Sequence, residues 1–117
     1  MAAISIERVY DHDPASRGAR AVLVDRLWPR GKRKAELGEI LWLKDVAPSN
    51  ELRTWFGHQP ERWEDFKRRY FAELDRNPAV GRLRELMSEG PVVLLYGARD
   101  ETHNQAAALR EYLSRRS

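Results

Sequence analysis

Asp25-Arg26-Leu27-Trp28-Pro29-Arg30-Gly31 puts a carboxylate, two guanidiniums and an indole within seven residues. The run follows Ala21-Val22-Leu23-Val24, which reads as a buried strand. In open α/β sheets ligands bind beyond the carboxyl ends of strands, so this is the first place to look for chemistry. A second polar group, Arg99, Asp100, His103 and Asn104, follows the most strand-like segment of the chain, Val92 to Tyr96. Arg26, Arg30 and Arg99 offer planar forks that suit phosphate, sulfate or carboxylate. His103 has the titration range of a proton-transfer group, and Asp25 can act as a base or orient a guanidinium. Trp28 and Asn104 complete a ligand-binding set. Thr102, with Gln105 three positions on, has the pattern of a capping box, which would place His103 and Asn104 in a first helical turn, where N–H groups and the dipole attract anions. The structural alternative pairs Asp25 and Arg26 with Arg99 and Asp100 across the sheet end, leaves Trp28 covering the core and makes Asp100 a helix cap.

A further candidate is Trp55-Phe56-Gly57-His58, followed by Pro60 and Trp63. Aromatics beside a histidine can line a pocket; at helical spacing they equally form core. His58 is carried as a ligand-binding candidate. The three histidines have neither HxH nor HExxH spacing, so no metal site is assigned. No cofactor is assigned either: GxGxxG and GxxxxGK[ST] are absent, as is GxSxG.

These residues must be positioned by an alternation of strands and helices. Ile4 to Tyr10 reads as a first strand, Ala21 to Leu27 as a second and Leu41 to Ala47 as a short third; Val92 to Tyr96, apolar on both faces, reads as a central parallel strand. Lys32 to Glu39 is either a short helix or an ordered loop. Ser49 caps a helix bearing Leu52, Trp55 and Phe56 that Gly57 stops. Pro60 opens a longer helix with the stripe Trp63, Phe66, Tyr70 and Leu74, flanked by i,i+4 pairs Glu64–Arg68 and Asp65–Arg69. Asn77-Pro78 divides it from a helix carrying Val80, Leu83, Leu86 and Met87, closed by Gly90. A last helix buries Ala106, Leu109, Tyr112 and Leu113. The expected fold is α/β: one compact domain over residues 1–117, with a small, mainly parallel sheet flanked by helices on both faces.

At 117 residues the chain can bury a core, and 42% hydrophobic with 33% charged residues is a globular composition. No apolar run approaches membrane-spanning length, and the N-terminus lacks the regions of a signal peptide. With no cysteine, disulfides and thiolate chemistry are excluded, and a cytoplasmic location is the expectation. The net charge is +3, yet residues 17–34 hold seven Arg and Lys against Asp25 alone, a local +6. That segment favours an anionic partner. Lys32 to Lys34 equally read as a solvated loop.

The strings RVYD (8–11), VDRLWPRG (24–31), WLKDVAPS (42–49), ELRTWFGHQPERWEDFKRRY (51–70) and LLYGARDETHNQAAALREYL (94–113), in this order, closely resemble the domain-of-unknown-function family 488 (DUF488) in its short YeaO-like branch. The resemblance spans nearly the whole chain. It implies a compact α/β bacterial protein of unassigned activity. Longer relatives have cysteines at and after the last strand, followed by a His-Arg pair; here Gly97-Ala98 and His103-Asn104 stand at those positions, so a cysteine-dependent mechanism cannot operate.

The leading expectation is a domain that binds an anionic small molecule or nucleotide at the strand ends near Asp25 and Tyr96, with catalysis left open. The alternatives are nucleic-acid binding through residues 17–34, tested by salt dependence, and a non-catalytic interaction protein or homo-oligomer that uses an apolar patch.

Overall fold

A computed structural model describes residues 3–16 and 18–115. Arg17, counted in the basic segment, lies outside the described residues. Among the described residues four strands form one sheet: β1 (Ile4–Arg8), β2 (Arg20–Leu23), β3 (Leu41–Trp42) and β4 (Val92–Tyr96). Their order is β1-β4-β2-β3 and every pairing is parallel. β2 and β4 therefore lie in the interior and bury both faces, which is why both are runs of Val, Leu and Ala rather than alternating patterns.

The helices are α1 (Lys34–Leu37), α2 (Asn50–Phe56), α3 (Trp63–Leu74), α4 (Ala79–Glu89) and α5 (Gln105–Arg115). Helices flank both faces, but unequally. Val22, Val24, Leu94 and Tyr96 face a core built from α2, α3, α4 and α5. On the other side Ala21, Leu23 and Leu95 are covered by Leu37 of the one-turn α1, by Val9 and by Trp28. Tyr70 of α3 is fully buried, and its hydroxyl donates to Val46 O at 2.6 Å. Burial pushes its pKa far up, so the phenol stays a donor.

Local signals in the sequence explain most boundaries. Ser49 Oγ accepts from Leu52 N at 3.1 Å, and Gly57 ends α2 in the left-handed region. Asn77 Oδ1 accepts from Ala79 N at 2.9 Å, which turns the chain into α4. Four expectations need correction. The first strand stops at Arg8, and Val9–Asp11 coils into a 3-10 turn. The second ends at Leu23, two residues before Asp25, so the polar run is a loop throughout. The third keeps only Leu41–Trp42, because it is an edge strand and the chain turns immediately into a 3-10 turn at Lys44–Val46. The pairs on α3 form one residue closer: Lys67–Glu64 at 3.4 Å and Arg68–Asp65 at 2.7 Å are i,i+3. Arg69 instead lies over the Trp55 ring at 4.2 Å, trading an exposed ion pair for a cation–π contact.

No helix is long and apolar enough to cross a membrane among the described residues.

Candidate functional site

The carboxyl ends of β1, β2 and β4 meet the inner side of α2, at Arg53 and Phe56, and the starts of α3 and α5 around a cavity of about 440 Å³. Asp25, Arg26, Trp28, Arg30, His58, His103 and Asn104 all line it. The two polar groups separated by some 70 residues in sequence thus share one site. Arg99 does not join them: its side chain is exposed and is not part of the lining.

Asp25 is the hub. One carboxylate oxygen, Oδ2, accepts the backbone N–H of Gly97 at 2.8 Å; the other, Oδ1, accepts Gln105 Nε2. The side chain so ties the end of β2 to the end of β4 and to the first residue of α5. Burial pushes its pKa up to about 6, against the opposing pull of the Gly97 and Gln105 hydrogen bonds. Its backbone carbonyl accepts Trp42 Nε1 at 2.8 Å. A Cβ at position 97 would stand 2.9 Å from Asp25 Oδ2, so a larger residue there would push the carboxylate aside.

Arg26, next in sequence, does not pair with Asp25. Its Nη2 reaches the carbonyls of Ala47 and Pro48, each at 3.3 Å, and so fixes the segment before α2. Its Nε is buried and has no hydrogen-bond partner among the described residues. Trp28 packs over the second core cluster and donates from Nε1 to Lys32 O at 2.6 Å, closing the loop on itself. Arg30 is exposed at the rim; its carbonyl accepts the Tyr10 hydroxyl at 3.1 Å. Arg8 Nε donates to Ala98 O at 3.0 Å, tying the edge strand to the loop after β4.

The loop before α5 is organised by Asp100 rather than by a capping box. Asp100 Oδ1 accepts the N–H groups of Thr102 and His103, both at 2.9 Å, and these bonds hold its carboxyl well below the usual range. Asp100 Oδ2 lies 2.9 Å from His103 Nδ1. With Nδ1 committed to the carboxylate, Nε2 is the acceptor of a neutral ring. The His103 ring meets Trp63 edge-on, with centroids 5.4 Å apart. The expected Thr102 cap is corrected: α5 begins at Gln105, and Asn104 is its cap, accepting Ala107 N through Oδ1 at 2.9 Å. Asn104 is buried, and its Nδ2 donates to Asp100 O at 2.9 Å. The competing Asp100 turn takes the Thr102 and His103 amides, so His103 precedes the helix.

His58 has a positive φ of 56° directly after Gly57 at 52°. A side chain in the left-handed region is strained, and here it is held at the cavity wall. His58→Gly should raise stability by about 0.5–1 kcal/mol, readable as a higher urea midpoint; an unchanged or lower midpoint would show that the turn is not strained.

Sequence reasoning missed Gln105 as a partner of Asp25, Arg53 on the rim, and the Phe56–Phe66 pair, stacked at 4.5 Å. The capping pattern with Thr102 gives Gln105 a local role and so hides this one. Arg53 carries no local signal at all. Among the described residues no cluster of His, Asp and Glu is arranged to hold a metal ion.

A family model described as the inactive DUF488-N3 subclade matches residues 3–117. The chain belongs to the DUF488 family. An uncharacterized protein of Mycobacterium tuberculosis strain H37Rv is 42% identical over 113 residues, covering 97% of this DUF488 domain and 95% of its own length. The uncharacterized protein YeaO of Escherichia coli K12 is 40% identical over 111 residues, covering 94% and 96%. No solved structure matches this DUF488 chain significantly.

Proposed function

We propose that this DUF488 domain is a binding module, without turnover, for a small anionic molecule held in the cavity at the strand ends. The observation that carries this reading is the convergence of Arg26, Arg30 and Arg53 on the lining of one cavity at the strand ends. Arg30 and Arg53 stand on the same lining and supply further charge and forked donors.

Two observations support binding over catalysis. The matched family model is described as inactive. The family resemblance implies cysteines in longer relatives where this chain has Gly97-Ala98, and a side chain at 97 would meet Asp25 Oδ2 at 2.9 Å. The Asp25 carboxylate has taken the space such a residue would need.

Inorganic phosphate and sulfate are the first probes. A millimolar site at tenfold ligand excess gains about 1.4 kcal/mol, a rise of roughly 5 °C in the unfolding midpoint. Arg30→Ala with Arg53→Ala removes two exposed side chains and should leave the unliganded midpoint within a degree or two while abolishing the rise. A parent protein that does not respond to either anion, or a double variant that responds fully, would refute the reading.

A further inference from the structure

We infer that the ligand carries, opposite its anionic group, a planar head with two adjacent N–H donors, the donor edge that a guanine base presents. This rests on the binding reading above and adds the other end of the ligand.

The cavity wall contains a mismatch. A site for an anion alone is weakened by a carboxylate in its wall, yet Asp25 lines the cavity with Arg26, Arg30 and Arg53. Among the described residues no ion pair neutralises Asp25. Each of its oxygens accepts one hydrogen bond from the protein, from Gly97 N and from Gln105 Nε2. A carboxylate has about four acceptor positions, so about two remain. Gln105 has committed an N–H to Asp25, and its Oε1 is an acceptor. What this wall leaves unfilled is thus acceptor capacity, which calls for N–H groups on the ligand.

The size and the apolar lining narrow the class. A cavity of about 440 Å³ accommodates a nucleoside monophosphate. Phe56 and Phe66, both buried and stacked on each other, contribute flat aromatic surface to the lining. Guanine offers N1–H and N2–H side by side to a carboxylate. Adenine offers a lone pair at N1, which a carboxylate repels.

The test compares guanosine monophosphate, adenosine monophosphate and inorganic phosphate by titration calorimetry at mildly alkaline pH. Guanosine monophosphate should bind roughly tenfold or more tightly than adenosine monophosphate, the scale of a two-bond base contact. Asp25→Asn keeps the size and an oxygen for Gly97 N but introduces a donor; it should bring the ratio near one while phosphate still binds. Gln105→Ala, which leaves the Asp25–Gly97 bond intact, should lower the ratio as well and guards against a folding defect in the first variant. Arg30→Ala with Arg53→Ala should weaken all three ligands together. Equal affinities in the parent, still dependent on Arg30 and Arg53, would overturn the donor-edge inference and leave the anion site standing. A guanine preference that survives Asp25→Asn would overturn the role given to Asp25. Failure of all three ligands to bind would overturn both readings.

Discussion

Arg26→Ala is expected to lower the unfolding free energy by about 2–3 kcal/mol, and Arg99→Ala by less than about 0.5 kcal/mol. Both arginines follow a central parallel strand, and local sequence offers no reason to rank them. Arg26 reaches two carbonyls of the Ala47-Pro48 segment, each at 3.3 Å. Removing the charged donor leaves both acceptors short of a partner inside the protein, the costly direction of a hydrogen-bond deletion. Arg99 is exposed and lies off the cavity lining, so its loss is a surface change. Urea unfolding of the two variants measures the difference directly. Arg26→Lys should fall between them, because an ammonium cannot reproduce the fork. The same pair separates site from surface in ligand experiments: Arg99→Ala should keep the parent's response to phosphate, and Arg26→Lys should reduce it. Similar stability losses for Arg26→Ala and Arg99→Ala would mean that the carbonyl contacts contribute little.

The stability of the parent should decline relative to Asp25→Asn as pH rises from about 4 to 7, by up to about 3 kcal/mol. The sign follows from the direction of the shift. Burial raises the folded-state pKa to about 6 from 3.8, so the native protein holds this proton more tightly than the unfolded chain does. The stabilisation is complete below about pH 4 and is lost as the carboxyl ionises through pH 6. The Asp25→Asn variant has no such proton, so the difference between the two profiles isolates the Asp25 contribution. Urea midpoints at several pH values and constant ionic strength supply the measurement. Parallel pH profiles would show that Asp25 ionises at no extra cost. Asp100 behaves oppositely: hydrogen bonds hold its carboxyl down, so its contribution is present above the ordinary carboxylate range and disappears only in strong acid. One fold therefore places a reluctant carboxylate at the end of β2 and a comfortable one after β4.

That contrast marks the limit of what residue order reveals. The α/β class, the two interior strands, the helices at Asn50–Phe56, Trp63–Leu74 and Ala79–Glu89, and the family membership carried by the motifs were all legible in the chain. These follow from local physics: apolar runs on interior strands, Ser49 and Asn77 as caps, Gly57 at a left-handed turn. Both halves of the candidate site were legible too, because parallel strands place their carboxyl ends at one edge of a sheet. Which polar residues share the cavity is a matter of tertiary packing. Gln105 and Asp25 meet because β4 lies between β1 and β2 and feeds α5 beside the end of β2. Arg26 turns to carbonyls contributed by a segment about 20 residues downstream, Arg53 arrives at the rim on α2, and Arg99 is left exposed to solvent. Side-chain direction at a loop is set by packing against distant elements, and no periodicity in the chain encodes it.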